Sequence, residues 1–447
     1  MNFRALYADK LTTAEEAVKV VRSGDWVDYG FGAILPVALD NALAARKDEL
    51  EEVHCRGGTE LWVPAVVQVP AHESPFTWNS LHMAAGVRQL MGQGNIFYLP
   101  MRFSETPRYF RENVKSVDVA MFQFPPMGED GYFRFGIGAT HTAAICERAK
   151  HVIIEVNRNM PACRGGEETK IHISQVSMVV EGDNPSLEMA AARGASPEEA
   201  VIARLIAEDV PSGACLQLGI GNLSNMVGEA LAQTDIKNLG VHSEMYVDAF
   251  VVLAKAGKVT GSLKALDRGR QVFSFAAGSK ELYEYIDDNP EVYSAPIDYV
   301  NDVRVISALD NFISVNGAVE VDLFGQVNAE TAGLRHISGS GGQQDFVLGA
   351  YLSRGGKSFI ALPSTHTGKD GTVKSRIAGI LARGGVVTDT RTNAHYIVTE
   401  HGKANLKGLA AWERAEALIA IAAPRFQDQL VGEAEKMGIW RRSNRRG

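Results

Sequence analysis

Short apolar runs alternate with segments of helical spacing along the whole chain. In the first half, runs of strand length lie at residues 26–29, 53–55, 96–99, 117–124 and 151–156. In the second half they lie at residues 214–218, 239–242, 271–275, 312–315, 359–362, 385–388 and 396–399. Apolar runs that are bounded by turns and separated by helices are typical of the strands of an α/β sheet. We therefore predict an α/β fold.

Helix starts are marked by residues that can cap them. Thr13 and Glu16 form a capping box, and Pro36 stands near the first turn of a helix predicted over residues 36–46. The end of the chain predicts a helix over residues 409–422, followed by Pro424 and a polar final helix.

The clearest helix start also marks a domain boundary. Ser196 can cap, Pro197 takes the first helical position and Glu199 can reach back to the cap. This helix is predicted to end near Glu208, and a turn-rich stretch at residues 209–213 follows. We predict two domains, residues 1–208 and 209–447, the second carrying the chemistry.

Each half contains a strand that enters a Gly-x-Gly loop and then a helix. Gly30 and Gly32 form the first loop, and Gly219 and Gly221 form the second at the same offset. The match favours two related open α/β domains. The alternative is chance, because Gly-x-Gly after a strand is common. A glycine loop at a helix start can receive an anionic cofactor, although Ser224 replaces the third glycine of a nicotinamide fingerprint.

Composition narrows the functional classes. The 447 residues are 45% hydrophobic, enough for two cores, and the net charge of −8 offers no general attraction for nucleic acid. The basic tail is interpreted as a solvated end, and it contains Arg441, Arg442, Arg445 and Arg446.

Cysteine spacing and hydropathy give further expectations. The four cysteines are scattered without a Cys-x-x-Cys pair or a histidine cluster, so neither a metal site nor a disulfide framework is expected. The first ten residues lack the apolar core of a signal peptide, and no apolar run of about twenty residues follows them. We expect a cytoplasmic protein with no membrane partner.

Glu244 is the strongest candidate for chemistry because it follows a short apolar run. On a strand, His242 and Glu244 point to one face and Ser243 to the other, so the three cannot form a catalytic triad. Ser243 also lacks the Gly-x-Ser-x-Gly elbow of a hydrolase. In a closed site, a carboxylate can attack a thioester and form a mixed anhydride. Glu244 and the second glycine loop together suggest chemistry on a bound thioester.

Other candidates have equally plain structural interpretations. The amides of Gly341 and Gly342 can approach a substrate, with Gln343 positioning it, or the segment is a tight surface turn. Lys369 lies between glycines and can pair with a phosphate or simply be solvated. Two further acids, Glu155 and Asp345, are either catalytic or structural partners of nearby groups.

Several blocks, taken in order, resemble the acetyl-CoA hydrolase/transferase family, and within it the 4-hydroxybutyrate and butyryl-CoA:acetate CoA-transferases. The blocks span nearly the whole chain and lie at residues 124–131, 155–157, 219–223, 242–245, 321–326, 341–346 and 396–400.

The resemblance implies two α/β domains with the active site at their interface and a ping-pong exchange of CoA between carboxylic acids. Glu244 falls on the family's nucleophile, which forms an acyl-glutamyl anhydride and then a glutamyl-CoA thioester. CoA-binding positions fall on Gly219, Ile220, Gly221, Asn222, Leu223, Val319, Gly341, Gly342, Gln343 and Lys369. CoA is implied as a co-substrate with no tightly bound cofactor, and a homo-oligomer is implied.

The chain departs from the family pattern at three positions. Ser224 stands where relatives usually carry proline, and Gln344 and Leu348 stand where they often have a hydrophobic residue and an arginine. These changes leave the acyl specificity open. We expect a CoA-transferase that uses short acyl-CoA and a short-chain carboxylate such as acetate. The alternatives are an acyl-CoA hydrolase and a non-catalytic CoA-binding regulatory protein.

Overall fold

A computed structural model of the protein describes residues 2–189, 194, 196–219 and 221–441. Four residues that carry predictions, Ile220, Arg442, Arg445 and Arg446, lie outside this range. The described helices are α1 (Phe3–Lys10), α2 (Ala14–Ala17), α3 (Ala38–Ala45), α4 (Ala65–Gln68), α5 (Ala85–Leu90), α6 (Thr106–Arg108), α7 (Thr142–Arg148), α8 (Pro197–Ala207), α9 (Asn222–Ala232), α10 (Asp248–Lys255), α11 (Lys280–Ile286), α12 (Ile297–Val300), α13 (Val303–Ser307), α14 (Gln343–Leu352), α15 (Ala411–Ala420) and α16 (Pro424–Lys436).

The described strands alternate with these helices. They are β1 (Leu11–Thr12), β2 (Trp26–Asp28), β3 (Val53–Gly57), β4 (Phe76–Ser80), β5 (Ile96–Tyr98), β6 (Val119–Phe124), β7 (Tyr132–Arg134), β8 (His151–Val156), β9 (Lys170–His172), β10 (Met178–Glu181), β11 (Cys215–Leu218), β12 (Gly240–Tyr246), β13 (Gln271–Ala276), β14 (Val292–Ser294), β15 (Phe312–Gly317), β16 (Glu320–Asp322), β17 (Val327–Asn328), β18 (Thr331–Ala332), β19 (Arg335–His336), β20 (Lys357–Ala361), β21 (Thr365–Thr367), β22 (Val373–Ser375), β23 (Ile377–Ala378), β24 (Tyr396–Thr399) and β25 (Gly402–Asn405). The predicted α/β class is confirmed.

The chain divides into two compact units. The first contains Met1–Ala191, Val241–Val251 and Gly269–Asp302, and the second contains Ala192–Gly240, Val252–Arg268 and Val303–Gly447. The later segments join the first unit through main-chain hydrogen bonds such as Ala276 N–H to Ile137 C=O, at 3.0 Å. Each compact unit is built from several segments, whereas the predicted domains are divided once, between residues 208 and 209. That domain boundary stays a prediction.

The first unit contains a parallel sheet in the order β1-β10-β8-β6-β2-β3-β4-β5. Every residue of the inner strand β6 is buried, as expected where helices cover both faces of a parallel sheet. The same unit contains residues 241–246 of β12, which pair in parallel with β13, and β13 in turn pairs in parallel with β14.

The second unit contains β11, β15, β20 and β24 as a parallel array, which β25 extends in the antiparallel direction. Three smaller pairings, β16 with β17 and β23, β18 with β19, and β21 with β22, complete its described strands. Its core includes Val321, Leu362 and Leu418, all buried.

Local signals predicted several elements well. Ser196 caps α8, and the reciprocal hydrogen bonds with Glu199 that define a capping box are both present. The apolar run at residues 151–156 matches β8, and residues 396–399 match β24. Elements with weaker patterns, α1 and β4, were not predicted.

The prediction of a strand at residues 385–388 was wrong. This segment is a loop in which Val386 and Val387 are 41% and 38% exposed. Its main chain makes isolated bonds, as in the Val386 N–H donation to Thr331 Oγ1 at 3.1 Å and the Thr388 N–H donation to Val327 C=O in β17 at 2.8 Å. One main-chain bond to β17 at the end of the run is too few to form a ladder.

No described helix is long and apolar enough to cross a membrane. Within the same residues, no group of three or more histidine, cysteine, aspartate or glutamate side chains is placed to hold a metal ion.

Candidate functional site

Glu244 lies near the carboxyl end of β12 with its side chain half-buried. Asn301 directly follows α12 and donates a hydrogen bond from Nδ2 to Glu244 Oε2 at 2.6 Å. Such a short, charge-assisted bond fixes the direction in which the carboxylate points. The carboxylate is held by the first unit and retains some exposure, as a nucleophile requires.

The neighbours of Glu244 follow the alternation of a strand. His242 lies on the same face, and its Nε2 is 2.8 Å from the carbonyl oxygen of Val300, the residue before Asn301. Ser243 is fully buried. His242 and Glu244 therefore contact consecutive residues at the end of α12, and the histidine supports this segment instead of contributing to a triad.

The second glycine loop runs directly into an eleven-residue helix, α9. Gly221 is the N-cap residue, with φ of +107° and ψ of 179°, and no side chain caps the helix there. This backbone region is open almost only to glycine. Asn222 and Leu223 form the first turn and are half-buried, so the amides of this turn and the partial positive end of the helix can bind an anionic group.

The first glycine loop differs from the second. Gly30 and Gly32 have φ of +72° and +74°, and a 3-10 turn, Gly32–Ile34, precedes α3. The helix begins at Ala38 and not at residue 36 as predicted. In both loops a strand is followed by glycines and a helix. The helix follows Gly221 directly in the second loop, whereas a 3-10 turn separates it from the glycines in the first.

The glycine turn before α14 has a polar neighbour that the sequence did not indicate. Gly341 has φ of +52°, and Gly342 is the N-cap residue of α14. Gln343 donates from Nε2 to Asp389 Oδ2 at 2.8 Å, which ties the start of the helix to a distant loop. This contact supports a structural role for the Gln343 side chain.

Val319 and Lys369 lie in different surroundings of the second unit. Val319 is half-buried between β15 and β16, and its N–H donates to Asn328 C=O at 2.8 Å. Lys369 is exposed in the turn between β21 and β22. The contribution of either residue to CoA binding stays a prediction.

Glu155 is explained by the fold. Its two carboxylate oxygens accept from the N–H groups of Val37, at 3.2 Å, and Leu39, at 3.0 Å, at the start of α3. Burial raises the pKa of Glu155, while these hydrogen bonds favour its charged form. The second candidate acid, Asp345, is buried in the first turn of α14.

Sequence reasoning missed two groups of polar residues. Asn301 carries no local motif, and only its contact with Glu244 identifies it. Gln217, at the end of β11, accepts from Ser314 Oγ at 2.7 Å and from Asn316 Nδ2 at 3.2 Å. Polar residues at the carboxyl ends of otherwise apolar strands were the available signal, since ligands of open α/β sheets bind there.

Comparison with known proteins identifies relatives along the whole chain. The N-terminal domain model of the acetyl-CoA hydrolase/transferase family matches residues 1–188, and its C-terminal domain model matches residues 278–434. The chain is 55% identical to the butyryl-CoA:acetate CoA-transferase of Anaerostipes caccae, over 100% of both chains. It is 40% identical to the 4-hydroxybutyrate coenzyme A transferase of Clostridium kluyveri, over 98% of this chain and 100% of the relative.

The fold agrees with this similarity. The crystal structure of RipA from Yersinia pestis matches with a TM-score of 0.90 and 40% sequence identity, covering 98% of this chain and 100% of that chain. The family predicted from the ordered sequence blocks is thereby confirmed. The protein belongs to the acetyl-CoA hydrolase/transferase family.

Proposed function

We propose that this protein is an acyl-CoA:carboxylate CoA-transferase that acts on short acyl chains such as butyryl or 4-hydroxybutyryl, with acetate or acetyl-CoA as the partner. The observation that carries the proposal is the Glu244 carboxylate, half-buried at a strand end and oriented by Asn301. The similarity to the butyryl-CoA:acetate and 4-hydroxybutyrate transferases supports the choice of acyl chain.

Glu244 acts as the nucleophile in two half-reactions. A carboxylate oxygen attacks the thioester carbonyl of acyl-CoA, and the carbon–sulfur bond breaks. CoA departs as a thiolate, and Glu244 becomes an acyl-glutamyl anhydride. The thiolate then attacks the glutamyl carbonyl, which releases the acyl group as a carboxylate and leaves a glutamyl-CoA thioester. The acceptor carboxylate reverses these steps, and a new acyl-CoA leaves with Glu244 regenerated.

The second unit supplies the groups that bind CoA. Gly219, Gly221, Asn222 and Leu223 offer backbone amides at the start of α9, and Gly341 and Gly342 offer amides before α14. Ile220, which lies outside the described residues, keeps its predicted place in the CoA site. We assign a weaker role to Gln343, whose side chain is bonded to Asp389. Val319 and Lys369 complete the proposed CoA contacts.

CoA enters as a co-substrate, and no tightly bound cofactor is proposed. We also propose a homo-oligomer located in the cytoplasm. Light scattering of the purified protein and fractionation of the cells that produce it check these two points.

Trapping the thioester tests the mechanism. The protein is incubated with butyryl-CoA in the absence of acceptor and then treated with borohydride, which reduces a glutamyl thioester to an alcohol. We expect loss of activity and an alcohol at Glu244, located by peptide mass spectrometry. Protein treated with borohydride alone should stay active and unmodified.

The variant Glu244→Gln provides the second arm. Its neutral amide cannot attack the thioester, so both transfer and trapping should disappear while the fold is retained. Transfer by this variant at the wild-type rate would contradict the proposal. Thiol release from butyryl-CoA that does not depend on acetate would indicate a hydrolase instead.

A further inference from the structure

A chain of hydrogen bonds connects Asn301 to the loop before α7. The Asn301 N–H donates to Ile297 C=O at 2.9 Å, and the Ile297 N–H donates to Thr140 C=O at 2.9 Å. The Thr140 N–H in turn donates to Ser274 C=O in β13, at 3.4 Å. Thr140 therefore lies between β13 and α12, the helix that Asn301 follows.

The strand register places Ser274 next to Glu244. Ser243 pairs with Phe273 and Met245 pairs with Phe275, so Ser274 is the neighbour of Glu244 across the parallel strands. Paired residues of neighbouring strands point to the same face, with β-carbons about 5 Å apart. These main-chain contacts thus place Thr140 and Ser274 next to the elements that hold Glu244 and Asn301 in the first unit.

Three polar atoms of this region share one property. Thr140 Oγ1, Ser274 Oγ and Asn301 Oδ1 are buried and have no hydrogen-bond partner among the residues that the structure describes. All three residues are 0% exposed. Nearly all buried polar groups in proteins are bonded to protein or to ordered water. Asn301 Oδ1 can only accept, whereas each hydroxyl can donate and accept.

We propose that Thr140 and Ser274 are positioning residues that, with Asn301 Oδ1, bind one buried water molecule beside Glu244. The water donates to Asn301 Oδ1 and accepts from the two hydroxyl groups, the usual three bonds of a buried water. A donor at Oδ1 keeps the amide turned so that Nδ2 faces Glu244. The opposite rotamer would place Oδ1 against the carboxylate, two acceptors in contact.

High-resolution crystallography tests the water without any assay. We expect a density peak within hydrogen-bond distance of Asn301 Oδ1 and of at least one of the two hydroxyl groups. The proposal is overturned if no peak contacts Asn301 Oδ1, or if a hydroxyl bonds to it directly. Because this measurement needs no turnover, it is independent of the proposed transferase function.

Kinetics of paired variants test the positioning role, which rests on the proposed function. Thr140→Val removes the hydroxyl at nearly constant shape, and Thr140→Ser retains it. We expect kcat for CoA transfer to fall about tenfold in Thr140→Val with little change in KM, because the carboxylate is misplaced. Thr140→Ser should restore most of the rate, and Ser274→Ala should behave like Thr140→Val.

A double-mutant cycle separates positioning from packing. In an Asn301→Ala background the water has no amide to orient, so adding Thr140→Val should have no further effect on kcat. Ser358→Ala is the matched control, because Ser358 is another buried serine whose hydroxyl has no partner among the described residues, and it lies in β20 of the second unit. It should leave kcat unchanged. Equal rates for Thr140→Val and Thr140→Ser would overturn the inference, and so would additive effects in the cycle. Either result leaves the proposed transferase function intact, provided that the wild type transfers CoA.

Discussion

Asn301 donates a 2.6 Å hydrogen bond to the carboxylate of Glu244, which lies 57 residues earlier in the chain. The contact joins the end of α12 to the third-last residue of β12. It orients the carboxylate without neutralising it, because the donor is an uncharged amide.

Asn301→Ala should reduce kcat/KM for CoA transfer about 10- to 100-fold, because a hydrogen bond to a charged group contributes about 1.5–3 kcal/mol. Asn301→Asp should be slower still, since a second carboxylate repels the first. Steady-state transfer from butyryl-CoA to acetate measures both. Asn95→Ala, at another buried asparagine, is the control for general effects on packing. A wild-type rate in Asn301→Ala would refute the orienting role.

Gly221→Ala should raise KM for acyl-CoA more than it lowers kcat. Open space surrounds the position of the added β-carbon, so the effect comes from the backbone, which must leave φ of +107°. Gly257→Ala is a matched control because that glycine, at φ of +68°, also has open space around it. If both variants retain the wild-type KM, the loop does not bind CoA through this conformation.

Acid should destabilise the protein through His141. Burial, aided by the positive charge of Arg56, lowers the pKa of His141 to about 3. The unfolded chain binds this proton near pH 6.5, so the stabilisation is complete above that pH and is lost as the pH falls towards 3. From pH 7.5 to pH 5, the free energy of unfolding should fall by about 2 kcal/mol through His141.

His141→Phe removes this titration while retaining an aromatic ring, next to Phe110, on which His141 stacks with ring centroids 5.2 Å apart. Urea unfolding at pH 7.5 and pH 5 measures the difference between wild type and variant. Relative to the wild type, the variant should have a higher free energy of unfolding at pH 5 than at pH 7.5. His72→Gln, at a side chain that is 81% exposed, should leave the pH dependence unchanged. The same shift in both variants would exclude His141 as the cause.

Asp28→Ala should destabilise the first unit by about 3–5 kcal/mol, because it leaves a buried guanidinium without its partner. Arg56 donates to Asp28 through Nε at 2.8 Å and Nη2 at 2.7 Å, and both side chains are almost fully buried. The midpoint of urea unfolding measures the change. The exposed pair of Arg108 and Glu112 is the control, and Glu112→Ala should leave the midpoint unchanged. Equal midpoints for Asp28→Ala and wild type would contradict the prediction.

The sequence by itself determined the elements whose signals are local. The capping box at Ser196 predicted α8, and the apolar run at residues 239–242 predicted the first part of β12. Strand alternation alone predicted that His242 and Glu244 lie on one face. Capping bonds span a few residues and side-chain alternation needs only the strand, so both can be read from neighbours in the chain.

Only the tertiary structure decided what surrounds Glu244. Asn301, Ser274 and Thr140 carry no motif, and strand pairing and helix packing bring them together from distant parts of the chain. The same packing gave Glu155 its place at the start of α3 and left residues 385–388 as a loop. Contacts between distant segments depend on which strands become neighbours in a sheet, and apolar periodicity alone does not specify that order.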